Sequence, residues 1–230
     1  MKTIGLLGGM SWESSALYYR LINELVRDQR GGLHSARCIM ASLDFADVEA
    51  LQAAGRWDAA GDLLADAALG LEAAGADMIV LCTNTMHKVA GAIEDAVAIP
   101  LVHLADVTAQ AVTAAGLKTV GLLGTAFTME EDFYRDRIAG HGLQVLVPDA
   151  AARTLVHRVI YEELVVGVVS EASRASFLAV IADLAARGAE GVILGCTEIE
   201  LLIDQDATPL PVFATTRLHA EAAVRLALES

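Results

Sequence analysis

Two cysteines stand in matching settings. Cys82 closes the apolar run of DMIVLCTNTMH (77–87), and Cys196 follows the apolar run of GVILGCTEIE (191–200). A threonine comes directly after each, Thr83 and Thr197. A free thiol ionises at about pH 8.5, and helix N-termini or nearby donors move it toward neutrality. Acidity of that order suits general acid–base catalysis, which works best when the catalytic pKa lies near the operating pH. Two such groups suit one reaction in particular. Inversion of a stereocentre bearing an acidic hydrogen needs a base on one face and a conjugate acid on the other. Two thiols exchange those roles with the direction of reaction.

A carbanion beside a carboxylate needs further help, because charge builds on the carboxylate as an enediolate forms. Backbone N–H groups at glycine turns and helix starts can meet that charge. Gly8, Gly9, Met10 and Ser11 offer one such turn, followed by Trp12. Thr83, Asn84 and Thr85 form a polar cluster after Cys82, and Gly124, Thr125 and Thr128 sit at the corresponding turn of the second half. Thr197 and Glu198 follow Cys196. Each has a plainer role beside the chemical one. The threonines and Asn84 can cap the next helix. Glu198 can be a solvated helix residue, and Trp12 can cover a pocket or pack lobes together. Asp47 and His87 are weaker candidates, and His87 can simply stabilise a loop. Cys38, inside RCIMASLDF, reads as a small hydrophobe.

Alternating strands and helices must position these groups. TIGLLGG (3–9), RCIMASLDF (37–45), DMIVLC (77–82) and PLVHL (100–104) read as strands. Helices are expected from SWESSALYYRLINELVRDQ, with Ser11 or Ser14 as cap, and from WDAAGDLLADAALGLEAAG, MHKVAGAIEDAV and VTAQAVTAAG. Strands separated by helices of this length imply a parallel sheet. The pattern then starts again. LKTVGLLGT (117–125) repeats MKTIGLLGG (1–9), ARGAEGVILGCTE (186–198) resembles AAGADMIVLCTN (73–84) with one more residue before the cysteine, and LPVFATT (210–216) echoes IPLVHLA (99–105). Three echoes in one order favour duplication over chance use of similar βαβ residues.

The expected fold is therefore α/β, with two similar three-layer lobes. Each carries a parallel four-stranded sheet, and a pseudo-two-fold axis relates them. The first lobe takes residues 1–114, completed by the C-terminal helix 215–230, and the second takes 115–214. Parallel sheets bind ligands at the carboxyl ends of their strands, where both cysteines fall. An active site between the lobes is the expectation.

Composition narrows the classes. Thirty acidic and 16 basic residues among 230 give a formal charge of −14, which argues against a nucleic-acid partner. Mean hydropathy is high, +0.49, yet the apolar residues are spread between charges. No run approaches the roughly 20 residues of a membrane span. Three cysteines are too few for a disulfide framework and suit a reducing compartment, so a cytoplasmic protein is expected. GLLGG lacks the full dinucleotide fingerprint, no Walker pattern occurs, and neither Cys82 nor Cys196 has the close companions of a metal site.

The opening MKTIGLLGGMSWESSALYYRLIN, the stretch VLCTNTMHKVA, the segment GLLGTAFTMEEDFYRDRI, IYEELVVG (160–167) and LGCTEIELLI together resemble the aspartate/glutamate racemase family. The likeness covers nearly the whole chain. It looks closest to the bacterial branch of broad-specificity and acidic-amino-acid racemases. The resemblance implies an amino-acid racemase without pyridoxal phosphate or metal, with Cys82 and Cys196 as the acid–base pair. It also implies a homodimer acting on a small amino acid, aspartate or glutamate favoured. The second-lobe cysteine would serve the L-enantiomer and the first-lobe cysteine the D-enantiomer. Some aspartate racemases hold the two substrate carboxylates with an arginine and a lysine. AARTLVHRVIYEEL offers Arg153, His157 and Arg158 but no lysine, which loosens strict aspartate specificity. Two other readings use the same residues: a maleate-isomerase-like enzyme with one covalent cysteine, and a non-catalytic amino-acid-binding protein.

Overall fold

A computed structural model describes residues 1–229. Its contacts divide the chain into two compact units, Met1–Leu104 with the chain from His219 onward, and Ala105–Leu218. The division falls after Leu104, where the sequence reading carried the first lobe on to residue 114.

In the first unit, β1 (Ile4–Gly8) leads to α1 (Trp12–Arg30), β2 (Cys38–Ser42), α2 (Phe45–Ala53), α3 (Trp57–Ala73) and β3 (Met78–Leu81). A 3₁₀ turn over Thr85–Val89 then runs into α4 (Ala90–Ala96). The strands are parallel in the order β2-β1-β3. Every residue of β1 and β3 is buried, which is why both read as continuous apolar runs without alternation. β2 lies at the edge and is partly exposed. Leu7, Leu64, Ile79 and Leu81 belong to the apolar core of this unit.

The expected fourth strand survives as one parallel bridge between Leu101 and Ile79. Ile79 N–H donates to Pro100 O at 2.9 Å and Val102 N–H to Ile79 O at 2.9 Å. Pro100 has no N–H to give, and the next helix starts at Leu104, so the ladder has no room to lengthen. The helix α2 was not separated from the preceding strand in the sequence. Its apolar residues show almost no one-sided helical pattern, and Asp44 sets its start by accepting from Ala46 N–H at 3.0 Å.

The second unit runs α5 (Leu104–Ala114, whose first residue closes the first unit), β4 (Thr119–Gly124), α6 (Ala126–Glu130), α7 (Asp132–Ala139), β5 (Gln144–Leu146), α8 (Ala150–Glu162), α9 (Glu171–Ala186), β6 (Gly191–Gly195), β7 (Val212–Ala214) and α10 (Thr215–Leu228). From His219 onward α10 belongs to the first unit, where Lys2 N–H donates to Ala227 O at 2.8 Å. The strand order is β5-β4-β6-β7, all parallel. Both units thus follow one plan. A glycine-ended first strand lies in the sheet interior, and the strand that leads into the cysteine is its neighbour. Leu123, Phe177, Val192 and Leu194 belong to the second apolar core.

The registers account for the extra residue seen before the second cysteine. Leu7 pairs with Leu81, which brings Cys82 level with Gly8. Gly124 pairs with Gly195, so Cys196 lies one residue farther out than the glycine matching Gly8.

The turn after β1 depends on Gly9. Its φ is +96°, and a Cβ there would stand 2.1 Å from Leu43 O. Gly9→Ala combines left-handed strain with a backbone clash. We expect it to lower stability by about 1–3 kcal/mol or more. Denaturant unfolding measures this, and an unchanged midpoint would contradict the packing described for this turn.

Candidate functional site

Cys82 follows β3 and is fully buried. Its N–H donates to Leu7 O at 2.9 Å, and its carbonyl accepts from Ser14 Oγ at 3.1 Å. Among the described residues the sulfur makes one weak hydrogen bond, 3.6 Å to Val80 O. Burial pushes the thiol far above its ordinary pKa, and Cys38 adds to the effect. Cys38 itself is half-buried and raised to about 11 by burial. A thiol in these surroundings is protonated at neutral pH.

The glycine turn beside Cys82 is closed by its own residues. Ser15 Oγ accepts from Gly9 N–H at 2.8 Å and donates to Ser11 O at 2.9 Å. A Cβ on Gly8 would stand 2.3 Å from that same Oγ, so the strand must end in glycine for the serine to reach the turn. Met10 is buried within the apolar core. Ser11, rather than Ser14, caps α1 by accepting from Ser14 N–H at 3.2 Å. Trp12 opens α1 and is 68% exposed. Thr83 N–H folds back to Leu81 O at 2.9 Å. Asn84 is buried, and Thr85 starts the 3₁₀ turn.

Cys196 follows β6 and is half-buried. Its Sγ–H donates to Glu198 Oε2 at 2.8 Å. Burial pushes this thiol well above its ordinary pKa, and the charge and hydrogen bond of Glu198 push the same way. Glu200 is raised to about 7, mainly by burial; Arg217 opposes the rise and Glu198 adds to it. The second centre is therefore a thiol with a carboxylate acceptor, whereas the Cys82 sulfur faces a backbone carbonyl, Val80 O.

Thr125 caps α6, with Thr128 N–H 3.4 Å from its Oγ1 and the two hydroxyl oxygens 3.3 Å apart. Cβ atoms on Gly124 or Gly195 would each stand 3.1 Å from the Thr128 side chain, which is why both strand ends are glycine. Thr197 Oγ1 lies 3.1 Å from Thr216 Oγ1, and Thr215 Oγ1 donates to Leu194 O at 2.8 Å. The cationic stretch of α8 has local partners. Arg153 donates to Glu130 Oε1 and to Pro148 O, both at 2.9 Å. Arg158 is 3.7 Å from Glu162 and 3.8 Å from Glu163. His157 Nδ1 accepts from Ala126 N–H at 3.2 Å.

Sequence reasoning missed Ser15 and Thr216 and gave Ser14 only a capping role. The pair SS after GGMSWE is a visible signal for Ser14 and Ser15, because serine hydroxyls early in a helix can reach the turn before it. Thr216 has no such signal, since its partner is 19 residues away. Among the described residues, no three His, Cys, Asp or Glu side chains are grouped to hold a metal ion. No helix among them is long and apolar enough to cross a membrane.

The profile of the family described as Asp/Glu/Hydantoin racemase matches residues 7–223. A crystal structure from Yersinia pestis, provisionally assigned as an Asp/Glu racemase, is 52% identical with a TM-score of 0.96, over 100% of both chains. An aspartate racemase homologue from Pyrococcus horikoshii OT3 is 33% identical with a TM-score of 0.90, again over 100% of both chains. The broad specificity amino-acid racemase RacX of Bacillus subtilis (strain 168) is 24% identical over 162 residues, 69% of this chain and 68% of RacX.

Glu198→Gln removes both the charge and the anionic acceptor that raise the Cys196 pKa. The pH profile of Cys196 alkylation by iodoacetamide should shift to lower pH in this variant, with the Cys82 profile unmoved. Peptide mass spectrometry reads both sites. An unshifted Cys196 profile would show that Glu198 does not govern that thiol.

Proposed function

We propose that this chain, which belongs to the Asp/Glu/hydantoin racemase family, is a cofactor-independent amino-acid racemase whose two acid–base groups are Cys82 and Cys196. One observation carries the reading. In each unit a cysteine follows the strand paired beside the glycine-ended first strand, and a threonine comes next. A duplicated scaffold that keeps a thiol just past the corresponding strand in both copies, one residue farther out in the second, fits a reaction needing one proton acceptor and one donor.

The chemistry follows from the two centres. One sulfur, as thiolate, takes the α-hydrogen and becomes a thiol. The other, as thiol, returns a proton to the opposite face and becomes a thiolate. The product is the mirror image, and the proton inventory of the two sulfurs is exchanged. Both thiols are protonated in the resting protein, so one must lose a proton before turnover. Glu198, accepting from the Cys196 thiol, is the base at hand. At Cys82 the low polarity favours return to the neutral thiol, which suits proton abstraction once the thiolate has formed.

Aspartate or glutamate is the favoured substrate, on the strength of the family, with broader specificity in the manner of the broad-specificity branch. The local engagement of Arg153 and Arg158 supports that breadth. A homodimer in the cytoplasm is the working form.

Cys82→Ser and Cys196→Ser should each lower racemisation of the preferred amino acid by at least about 100-fold, because a serine hydroxyl is a far poorer base near neutral pH. Each variant should still exchange α-hydrogen for solvent deuterium on one enantiomer only. Cys82→Ser would exchange the L-form and Cys196→Ser the D-form. Chiral chromatography with mass spectrometry on a panel of single enantiomers tests this. Racemisation at the wild-type rate by either variant would rule out the two-thiol mechanism. A persistent covalent adduct on one cysteine would point instead to an isomerase acting on a double bond.

A further inference from the structure

Three histidines of the first unit lie together in its interior, His87, His103 and His219, with exposures of 3%, 6% and 0%. The rings of His87 and His103 have centroids 4.6 Å apart, and those of His87 and His219 5.8 Å apart. Two of these rings use both nitrogens. His87 Nδ1–H donates to Thr83 O at 2.7 Å, and its Nε2 accepts from Leu104 N–H at 3.2 Å. His219 Nε2–H donates to Val102 O at 2.6 Å, and its Nδ1 accepts from Tyr18 O–H at 2.9 Å. A carbonyl only accepts and an amide only donates. Each ring is therefore held as one neutral tautomer, His87 with its proton on Nδ1 and His219 with its proton on Nε2. Burial, and then the neighbouring His103 and His219, keep His87 well below the ordinary imidazole range. His219 is lowered to about 4 by burial and by His103.

These bonds converge on the cysteine turn. Among the described residues the sulfur of Cys82 makes one hydrogen bond, a weak one to Val80 O, so no strong bond holds it and the backbone that carries it matters. On the strand side that backbone is fixed by Leu7 O and Ser14. On the far side the next carbonyl is Thr83 O, and His87 takes it. We infer that His87 is a positioning residue for Cys82, its imidazole tying the Thr83 carbonyl to the Leu104 amide, while His219 and Tyr18 fix the neighbouring segment 102–104 against which it is braced. A misplacement of about 1 Å can cost roughly 100-fold in rate, so a tether at this point bears directly on turnover.

The kinetic arm of the test rests on the racemase reading; the other two arms do not. Asparagine and glutamine divide the two bonds. His87→Asn keeps an N–H near Nδ1 for Thr83 O and leaves the Leu104 amide. His87→Gln keeps an acceptor near Nε2 for Leu104 and releases Thr83 O. The Gln variant should alkylate at Cys82 at least about tenfold faster than wild type and lose about 10- to 100-fold in kcat, with KM little changed. The Asn variant should stay within about threefold of wild type on both readouts. Equal losses in the two variants, or the reverse order, would overturn the proposal. Nitrogen-15 spectra of histidine-labelled wild-type protein provide the arm that needs no variant. His87 should hold its proton on Nδ1 from pH 5 to 8 without titrating. A proton on Nε2, or a titration in that range, would also overturn it. If the racemase reading itself fails, wild-type protein will not racemise, yet the labelling order and the tautomer will still decide the role of His87.

Discussion

The structure around the first thiol depends on how a parallel strand ends. Beyond its last ladder bond, the peptide groups of a strand still need partners, and a buried group left without one costs about 1–3 kcal/mol. At Cys82 each group finds one. The amide goes to Leu7 O, the carbonyl takes Ser14 Oγ, the next amide folds back to Leu81 O, and the next carbonyl takes His87. The thiol itself makes a weak bond, to Val80 O at 3.6 Å. Its backbone is thus tied on both sides. Gly8 and Gly9 serve the same end, because any side chain there would strike Ser15 or Leu43.

The second centre meets the same topological problem with other means. Cys196 is level with Thr125 and lies beside glycines packed on Thr128, and its sulfur donates to a carboxylate. The two thiols therefore sit in unlike surroundings despite the repeated plan. One is fully buried and raised by that burial and by Cys38. The other is raised by burial together with Glu198. In the proposed racemase such a pair would handle the two enantiomers unequally.

Much of this was legible in the chain. Buried parallel strands read as uninterrupted apolar runs, so β1, β3, β4 and β6 stand out, and the repeat of GLLG identifies the duplicated plan. The cysteines follow two of those runs and are found with them. The elements that stayed hidden lack periodic apolar patterning. Helix α2 has no apolar stripe, β5 has three residues, and the fourth strand of the first sheet is reduced to one bridge. The tethers were hidden for another reason. His87 meets Leu104 across 17 residues and His219 meets Val102 across 117, and such partnerships leave no mark on local sequence. The glycine turn was read as a set of free donors, whereas Ser15 already takes the Gly9 amide.

In the proposed reaction two different groups remove and return the α-hydrogen. Racemisation of one pure enantiomer in deuterium oxide, stopped at a few per cent conversion, tests it most directly. Mass spectra of the separated enantiomers give the result. Two bases predict product that carries α-deuterium and residual substrate that still carries hydrogen. Deuterium appearing in residual substrate as fast as in product would mean that one group serves both faces, and would contradict the account.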